Sequence, residues 1–162
     1  MKRTIRSAVV AVAALLGIGI AAPAHAGFGF GATAGYGVST NHFTNGGSLE
    51  IIPSYSLAEI VMLDASVLLT RPVGLESTSA IFRPGVRVSP PFIPLYARLA
   101  VPLSFDPDGS IRPNLLGGLG LMIKVANLLL LAEVNGTEDM NVAPGQTAAF
   151  LAEARAGLQL VF

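Results

Sequence analysis

His42 is the one histidine downstream of residue 26, and its neighbours include side chains that could join it in activating a nucleophile. Ser39 and Thr40 precede it, and Ser48 and Glu50 follow a few residues later. A serine, a histidine and a carboxylate catalyse as a triad only where hydrogen bonds join the three groups, and spacing alone does not establish such bonds. An isolated histidine in a polar loop is usually solvated, so we predict no catalytic role for His42.

Other sequence patterns that could indicate a cofactor or metal site are weaker signals still. The chain has no cysteine and no histidine cluster, which excludes the common zinc and iron–sulfur ligand sets. The segment Gly29–Ala34 matches the dinucleotide pattern GxGxxA, but an apolar leader precedes it where a strand would be required. The segment Asp106–Ser110 resembles the start of a calcium-binding loop but lacks the later ligands. Its residue types are those preferred in ordinary turns, so we predict a turn there. We therefore predict no cofactor and no metal.

The composition restricts the class of protein. The 162 residues are 52% hydrophobic and only 12% charged, whereas an ordinary soluble domain carries about 25% charged residues. Disorder is excluded, because disordered chains combine low hydrophobicity with high net charge. The length suits one domain plus a targeting segment.

The first 26 residues read as a secretory signal peptide. An apolar run from Ala8 to Ala22 follows a basic start and ends before the cleavage pattern Ala24-His25-Ala26. The run is shorter than the roughly 20 residues that a membrane-spanning helix needs. We therefore assign residues 1–26 to the signal peptide and residues 27–162 to the folded domain. This domain keeps seven of the ten basic residues against all ten acidic ones, a balance that does not suit a nucleic-acid partner.

The exported domain alternates apolar and polar residues with the period of two that indicates β-strands. Long polar connections alternate with tight ones, as in an up-and-down antiparallel meander that closes into a barrel. Eight strands are predicted, at residues 27–38, 48–56, 58–70, 80–89, 93–105, 111–123, 127–136 and 147–162. Pro84 and Pro102 fall inside these strands, and a closed barrel has no free edge for them, so each requires a bulge or a lost hydrogen bond.

Charge placement indicates which way the barrel faces. Charged residues within strands share the face opposite the aliphatic stripe, which suits a membrane barrel with its charges turned inward, away from lipid. A solvated outer face could also hold paired charges, so this test does not stand alone. The predicted lumen network contains Glu50, Asp64, Arg83, Arg87, Arg98, Glu133, Glu153 and Arg155. From the strand order we expect Asp64 to pair with Arg83 or Arg87, and Glu133 with Arg155.

Aromatic placement gives the most informative test. Almost all aromatic residues fall near strand ends, as in the two girdles that membrane barrels carry at the lipid–water interfaces. A soluble core would place them in the middle of the strands. The predicted girdles contain Phe28, Phe30, Tyr36, Tyr55, Phe82, Phe92, Phe105 and Phe150.

The pattern resembles the small eight-stranded outer-membrane β-barrels of Gram-negative bacteria, such as the transmembrane domain of outer membrane protein A. The end of the sequence carries alternate apolar residues and a final aromatic, Leu158, Leu160 and Phe162. This ending is similar to the signal that the barrel-assembly machinery recognises in that family. The resemblance implies location in the outer membrane, with outer-membrane lipid, lipopolysaccharide and the assembly machinery as partners. Because the sequence stops at Phe162, we expect no peptidoglycan-binding domain.

Taken together, the residues and the resemblance favour an exported barrel with a side-chain-filled lumen and a structural or interaction role without catalysis. Two alternatives remain open. One is a soluble periplasmic barrel of lipocalin type that binds an apolar ligand. The other is an enzyme that modifies lipid A through His42, because some barrels of the resembled family do so with a histidine, a serine and an acid at the outer rim. The sequence does not predict an oligomeric state.

Overall fold

The structure is a computed structural model that describes residues 27–39, 45–58, 60–73, 78–106, 108–140 and 149–162. The predicted signal peptide and His42 lie outside these ranges. None of the described residues belongs to a helix long and apolar enough to cross a membrane.

The described residues form one antiparallel sheet. Its segments are β1 (Gly27–Ser39), β2 (Gly46–Ala58), β3 (Val61–Pro72), β4 (Ser79–Val88), β5 (Leu95–Ala100), β6 (Leu103–Phe105), β7 (Ile111–Val125), β8 (Leu128–Asp139) and β9 (Phe150–Val161). The short segments β5 and β6 both lie between β4 and β7 and together make one strand of the barrel. Each strand pairs with its neighbours in sequence, and β1 also pairs with β9, which closes the sheet. The predicted eight-stranded up-and-down barrel is therefore confirmed.

The predicted alternation of long and tight connections holds only in part, because the connection from β4 to β5 at residues 89–94 is as long as those that follow β1 and β3. The end that bears Gly27 and Phe162, called the terminal end below, has the tight turn of Ala126 and Asn127. Ala126 adopts a positive φ of 54° there, which a two-residue hairpin turn requires. The opposite end, called the loop end, carries the long connections that follow β1, β3 and β8. Strand boundaries agree with the predicted ones to within a few residues.

The two faces of the sheet have reversed polarity compared with a soluble barrel. Large apolar side chains point outward, as at Phe28 (69% exposed) and Leu119 (70% exposed). Charged side chains point inward and are buried, as at Arg83 (1% exposed). Successive strand residues face opposite sides, so the period of two in the sequence sorts the side chains between the lumen and the outer surface.

Pro84 and Pro102 are accommodated by lost hydrogen bonds without a change of register. The Val101 N–H donates to the Pro84 carbonyl (2.9 Å), but Pro84 has no N–H to return the bond. On the other side of the same strand, the Asn114 N–H donates to the Pro102 carbonyl (2.8 Å), and Pro102 likewise returns nothing. The pairs Gly85–Ala100 and Phe82–Leu103 keep one register across the gap between β5 and β6. The two prolines therefore interrupt the ladder on both sides of one strand.

Candidate functional site

The lumen gathers charged side chains from six of the eight barrel strands. All of them are at most 7% exposed, and four carboxylates face four guanidinium groups. They are Glu50, Asp64, Arg83, Arg87, Arg98, Glu133, Glu153 and Arg155. Equal numbers of opposite charges avoid the large cost of burying an uncompensated charge.

Arg98 on β5 stands at the centre of this network. Its guanidinium lies 2.8 Å from Glu50, 3.2 Å from Glu133 and 3.6 Å from Asp64, so it joins carboxylates from three other strands. Its Nη2 also donates to the Ser66 hydroxyl (2.9 Å), which in turn donates to Glu50. Arg98 therefore ties β2, β3 and β8 together across the lumen.

Two branches extend from this centre. In the first, Arg87 donates to both carboxylate oxygens of Asp64, from Nε (2.8 Å) and Nη2 (2.7 Å). Arg87 Nη2 also donates to the Gln159 side chain (2.8 Å), whose own amide donates to Ser54 (2.6 Å). The bidentate geometry makes Arg87–Asp64 the best-formed pair of the network.

The second branch runs through Arg155. Its guanidinium lies 3.2 Å from Glu50 and 3.2 Å from Glu153, and Arg83 Nη2 donates to Glu153 at 2.6 Å. The Arg83–Glu153 pair joins β4 to β9 across the barrel. Arg83 Nε and Nη1 have no partner among the described residues, so Arg83 engages one carboxylate with one nitrogen. Ion pairs thus connect all eight charges.

One of the two predicted ion pairs forms, that of Asp64, and the other, between Glu133 and Arg155, does not. Asp64 pairs with Arg87, one of its two expected partners. Glu133 and Arg155 are cross-strand neighbours, as the strand order predicted, but their charged groups bind elsewhere: Glu133 contacts Arg98, and Arg155 contacts Glu50 and Glu153. Long side chains from several strands share one narrow lumen, so the nearest strand does not determine the partner.

The lumen also contains residues that the sequence analysis did not single out. Buried apolar side chains accompany the charges in the lumen. Leu68 and Leu116 lie toward the loop end, and Leu129 and Leu131 pack against Tyr96 toward the terminal end. These leucines share the parity of the charged residues in their strands, which is the signal that could have found them.

Little open space remains between these side chains. A cavity of about 10 Å³ is lined by Thr33, Tyr96 and Leu131 together with several members of the charge network. A cavity of this volume is about the size of one water molecule. The side chains that line this cavity therefore leave room for no solute larger than water.

Two of the residues considered for a catalytic triad, Ser48 and Glu50, are bound to arginine side chains of the lumen. Glu50 is fully buried and bound to Arg98, Arg155 and Ser66, so its carboxylate is committed to the lumen. Ser48 accepts a hydrogen bond from Arg155 (3.2 Å). His42 lies outside the described residues, so its geometry with these groups is not defined.

The segment that resembled a calcium loop is a compact turn at the loop end. The Asp106 N–H donates to the Ser110 carbonyl (3.0 Å), and the Ser110 N–H donates to the Asp108 side chain (2.9 Å). This donation from Ser110 holds the pKa of Asp108 below its ordinary value. The described residues contain no cluster of histidines and carboxylates that could hold a metal ion.

The aromatic residues assigned to girdles lie near the two ends of the barrel. Phe28, Phe30, Tyr55 and Phe92 lie near the terminal end; Tyr36, Phe82, Phe105 and Phe150 lie toward the loop end. The Phe28 and Tyr55 rings contact each other edge to face, with centroids 5.0 Å apart. Phe162 (77% exposed) joins them, because its N–H donates to the Phe28 carbonyl (2.8 Å). Leu158 and Leu160 continue its outward stripe.

Comparison with solved structures identifies similar barrels. The structure of Neisserial surface protein A (NspA) matches with a TM-score of 0.63 and 18% identity, over 83% of this chain and 97% of that one. Ail, the attachment invasion locus protein of Yersinia pestis, matches with a TM-score of 0.51 and 14% identity, over 85% of this chain and 97% of that one. A de novo designed transmembrane β-barrel matches with a TM-score of 0.51 and 16% identity, over 83% and 95%.

No family model matches the sequence, and no curated protein matches it either. At these low identities the similarity concerns the fold. Each comparison covers at least 83% of this chain and at least 95% of the other chain. The chain thus has the fold of the small eight-stranded outer-membrane β-barrels.

Proposed function

We propose that this chain is an integral outer-membrane protein, exported by means of its first 26 residues, with a structural or interaction role and no catalytic activity. The reversed polarity of the barrel carries this proposal. The outer face offers apolar side chains to a hydrocarbon environment, while eight charges are buried and balanced inside. An arginine placed toward lipid near the bilayer midplane would cost about 2–4 kcal/mol, so this sorting suits a membrane.

The soluble alternative fits the same barrel poorly. A lipocalin-type barrel binds its ligand in an apolar interior and presents polar residues to water. Here, the middle of the lumen is occupied by the charge network, while Leu119 and Val134 are 70% and 64% exposed on the outside. An apolar patch of this extent on a monomer in water would favour aggregation.

Two observations support the structural or interaction role: the side chains pack tightly in the lumen, and Glu50 is held in ion pairs. A filled lumen opposes passage of solutes, and Glu50 is bound to two arginines instead of lying free at the outer rim. The similar structures include one named a surface protein and one named an attachment invasion locus protein, which makes the loop end the place to look for a partner. Outer-membrane lipid and lipopolysaccharide would surround the apolar belt.

Membrane fractionation tests the location. The protein should sediment with outer membranes, require detergent for extraction and migrate differently on gels before and after heating. Recovery as a soluble periplasmic protein without detergent would contradict the proposal.

The absence of catalysis is tested separately. Lipid A from cells with and without the protein should have the same mass spectrum. A mass change that His42→Ala abolishes would establish the enzymatic alternative instead.

A substitution at the end of the sequence tests the proposed contact with the assembly machinery. Phe162→Asp should lower the outer-membrane level of the protein and leave unfolded chains in the periplasm. Phe105→Asp is the matched control, because Phe105 is also an exposed aromatic (60%) but lies at the loop end. Equal outer-membrane levels of the Phe162→Asp variant and the wild type would contradict a role of Phe162 as an assembly signal.

A further inference from the structure

The strands β1 and β9 close the barrel without a short turn to set their register. By contrast, β7 and β8 are joined by a turn of two residues, which fixes how those strands align. β1 and β9, called the closing pair below, are the first and last strands of the described chain, so contacts along the strands must set their alignment. This alignment affects the whole molecule, because the stagger of the strands on closure determines the shape of a barrel.

The inward residues of the closing pair have complementary sizes. From Gly29 to Gly37, every inward residue of β1 is glycine except Thr33. Opposite them, every inward residue of β9 has a side chain except Gly157. Each of the five inward pairs therefore contains a single glycine: Gly29–Val161, Gly31–Gln159, Thr33–Gly157, Gly35–Arg155 and Gly37–Glu153. The other ladder of β9 does not follow this pattern, since Arg155 faces Glu133 there.

The glycines are required because the opposite residue occupies the space of a side chain. A Cβ at Gly157 would lie 2.6 Å from Thr33 Cα, whereas carbon atoms pack at about 3.5–4.0 Å. Likewise, a Cβ at Gly35 would lie 2.8 Å from Arg155 Cγ. A pair of two side chains therefore does not fit at these positions of the closing pair.

A shift of two residues is the smallest that keeps the same side chains inward. It would place Thr33 opposite Arg155 in one direction and opposite Gln159 in the other. A side chain opposite Gln159 would overlap as well, because a Cβ at Gly31 would lie 2.8 Å from Gln159 Cβ. Either shift would also leave Gly157 facing another glycine, and the void between them would lose packing contacts.

A shifted closure would also separate groups of the charge network. Arg155 reaches across the closing pair to the Thr33 hydroxyl on β1 (3.2 Å) and to Glu50 on β2 (3.2 Å). Two residues of an antiparallel strand span about 7 Å, which is more than twice either distance. The register of the closing pair therefore decides which charged groups meet in the lumen.

We propose that Thr33 and Gly157 form a steric register lock, in which the Thr33 side chain fits the gap at Gly157 and excludes both shifted closures of the barrel. The volume of the threonine side chain performs this role. Its hydroxyl accepts a hydrogen bond from Arg155, which stabilises the closed pair without selecting its register. The lock concerns how the barrel closes, so it is independent of the location and of the absence of catalysis proposed above.

Cysteine cross-linking can report the register, because the sequence contains no cysteine. Ala34→Cys would be combined in turn with Ala156→Cys, Ala154→Cys and Leu158→Cys, all on the outward face, and each protein would be folded into detergent and mildly oxidised. Ala34 faces Ala156 in the structure, whereas it would face Ala154 or Leu158 after a shift in one direction or the other. Directly opposite residues suit a disulfide, and diagonal neighbours about 7–8 Å apart exceed its reach.

The three cysteine pairs would be compared in the wild type, in Thr33→Gly, in Thr33→Val and in the relocated variant Thr33→Gly/Gly35→Thr. In the wild type and in Thr33→Val, the Ala156 cross-link should exceed the other two several-fold, because valine keeps the branched shape without the hydroxyl. Thr33→Gly should lose this preference, since five inward glycines on β1 exclude no register. The relocated variant should prefer the Leu158 cross-link several-fold, because residue 35 faces Gly157 in that register.

An unchanged preference for the Ala156 cross-link in Thr33→Gly or in the relocated variant would overturn the inference, because the register would then be set elsewhere. Loss of this preference, or of the barrel itself, in Thr33→Val would also overturn it, since the hydroxyl would be the required feature. If Thr33→Val forms a barrel while Thr33→Gly and the relocated variant do not, no shifted closure exists and the lock has nothing to exclude.

Discussion

Glu133 and Arg155 face each other across β8 and β9, yet their charged groups bind other residues. Glu133 accepts from Arg98, and Arg155 contacts Glu50 and Glu153. By contrast, Asp64 and Arg87 form a bidentate pair although Arg87 lies opposite Met62 in the register. Which charged groups pair in this lumen therefore depends more on how far the side chains reach and on charge balance than on which strands are adjacent.

This difference predicts unequal coupling in two double-mutant cycles. For Asp64→Asn with Arg87→Met, each single change leaves a buried charge without its partner, which costs about 3–5 kcal/mol, and the double variant should lose less than the sum. For Glu133→Gln with Arg155→Met, the losses should be closer to additive, because the two groups share no direct contact. Urea unfolding in detergent would measure all six variants. A larger coupling energy for Glu133 and Arg155 than for Asp64 and Arg87 would contradict the network described above.

Arginine-to-lysine exchange should separate two ion pairs that look alike in sequence. Arg87 uses Nε and Nη2 on Asp64, and a lysine ammonium cannot reproduce this fork. Arg83 engages Glu153 through Nη2 alone, while its other two nitrogens have no partner among the described residues. Arg87→Lys should therefore lower the free energy of unfolding by about 1–3 kcal/mol, and Arg83→Lys by less. Urea unfolding would compare them, and an equal or larger loss for Arg83→Lys would contradict the single-contact geometry.

The sequence predicted the fold and the sorting of charges because both depend on the period of two. A one-residue shift in any strand would turn its charges toward lipid, so parity strongly constrains which residues face inward. The partners of Arg98 could not be predicted in this way, because its side chain reaches carboxylates on three strands. The positive φ of Phe92 (72°) was also hidden, because the type and spacing of residues do not specify a left-handed conformation for an aromatic residue.

Restoring a backbone donor at Pro84 should strengthen the interrupted ladder. The register is continuous, so Pro84→Val would point a new N–H toward the Val101 carbonyl without moving the strand. A backbone hydrogen bond contributes about 0.5–1.5 kcal/mol, and the neighbouring amides should exchange with deuterium more slowly. Val86→Pro is the converse variant, because Val86 directs its N–H to the same side of β4. Faster exchange in Pro84→Val than in the wild type would show that the proline is needed in the strand for another reason.

Two glycines on β7 should respond oppositely to the same substitution. Gly120 faces Tyr96 across the β5–β7 ladder, and a Cβ at Gly120 would overlap the Tyr96 ring. Gly120→Ala should therefore displace that ring from Leu129 and Leu131 and lower the free energy of unfolding by about 1–3 kcal/mol. At Gly117 a Cβ would have no neighbour within 4 Å, so Gly117→Ala should leave the stability unchanged or slightly raised. Urea unfolding in detergent would compare the two, and equal losses would mean that strand flexibility, not the Tyr96 contact, requires glycine at residue 120.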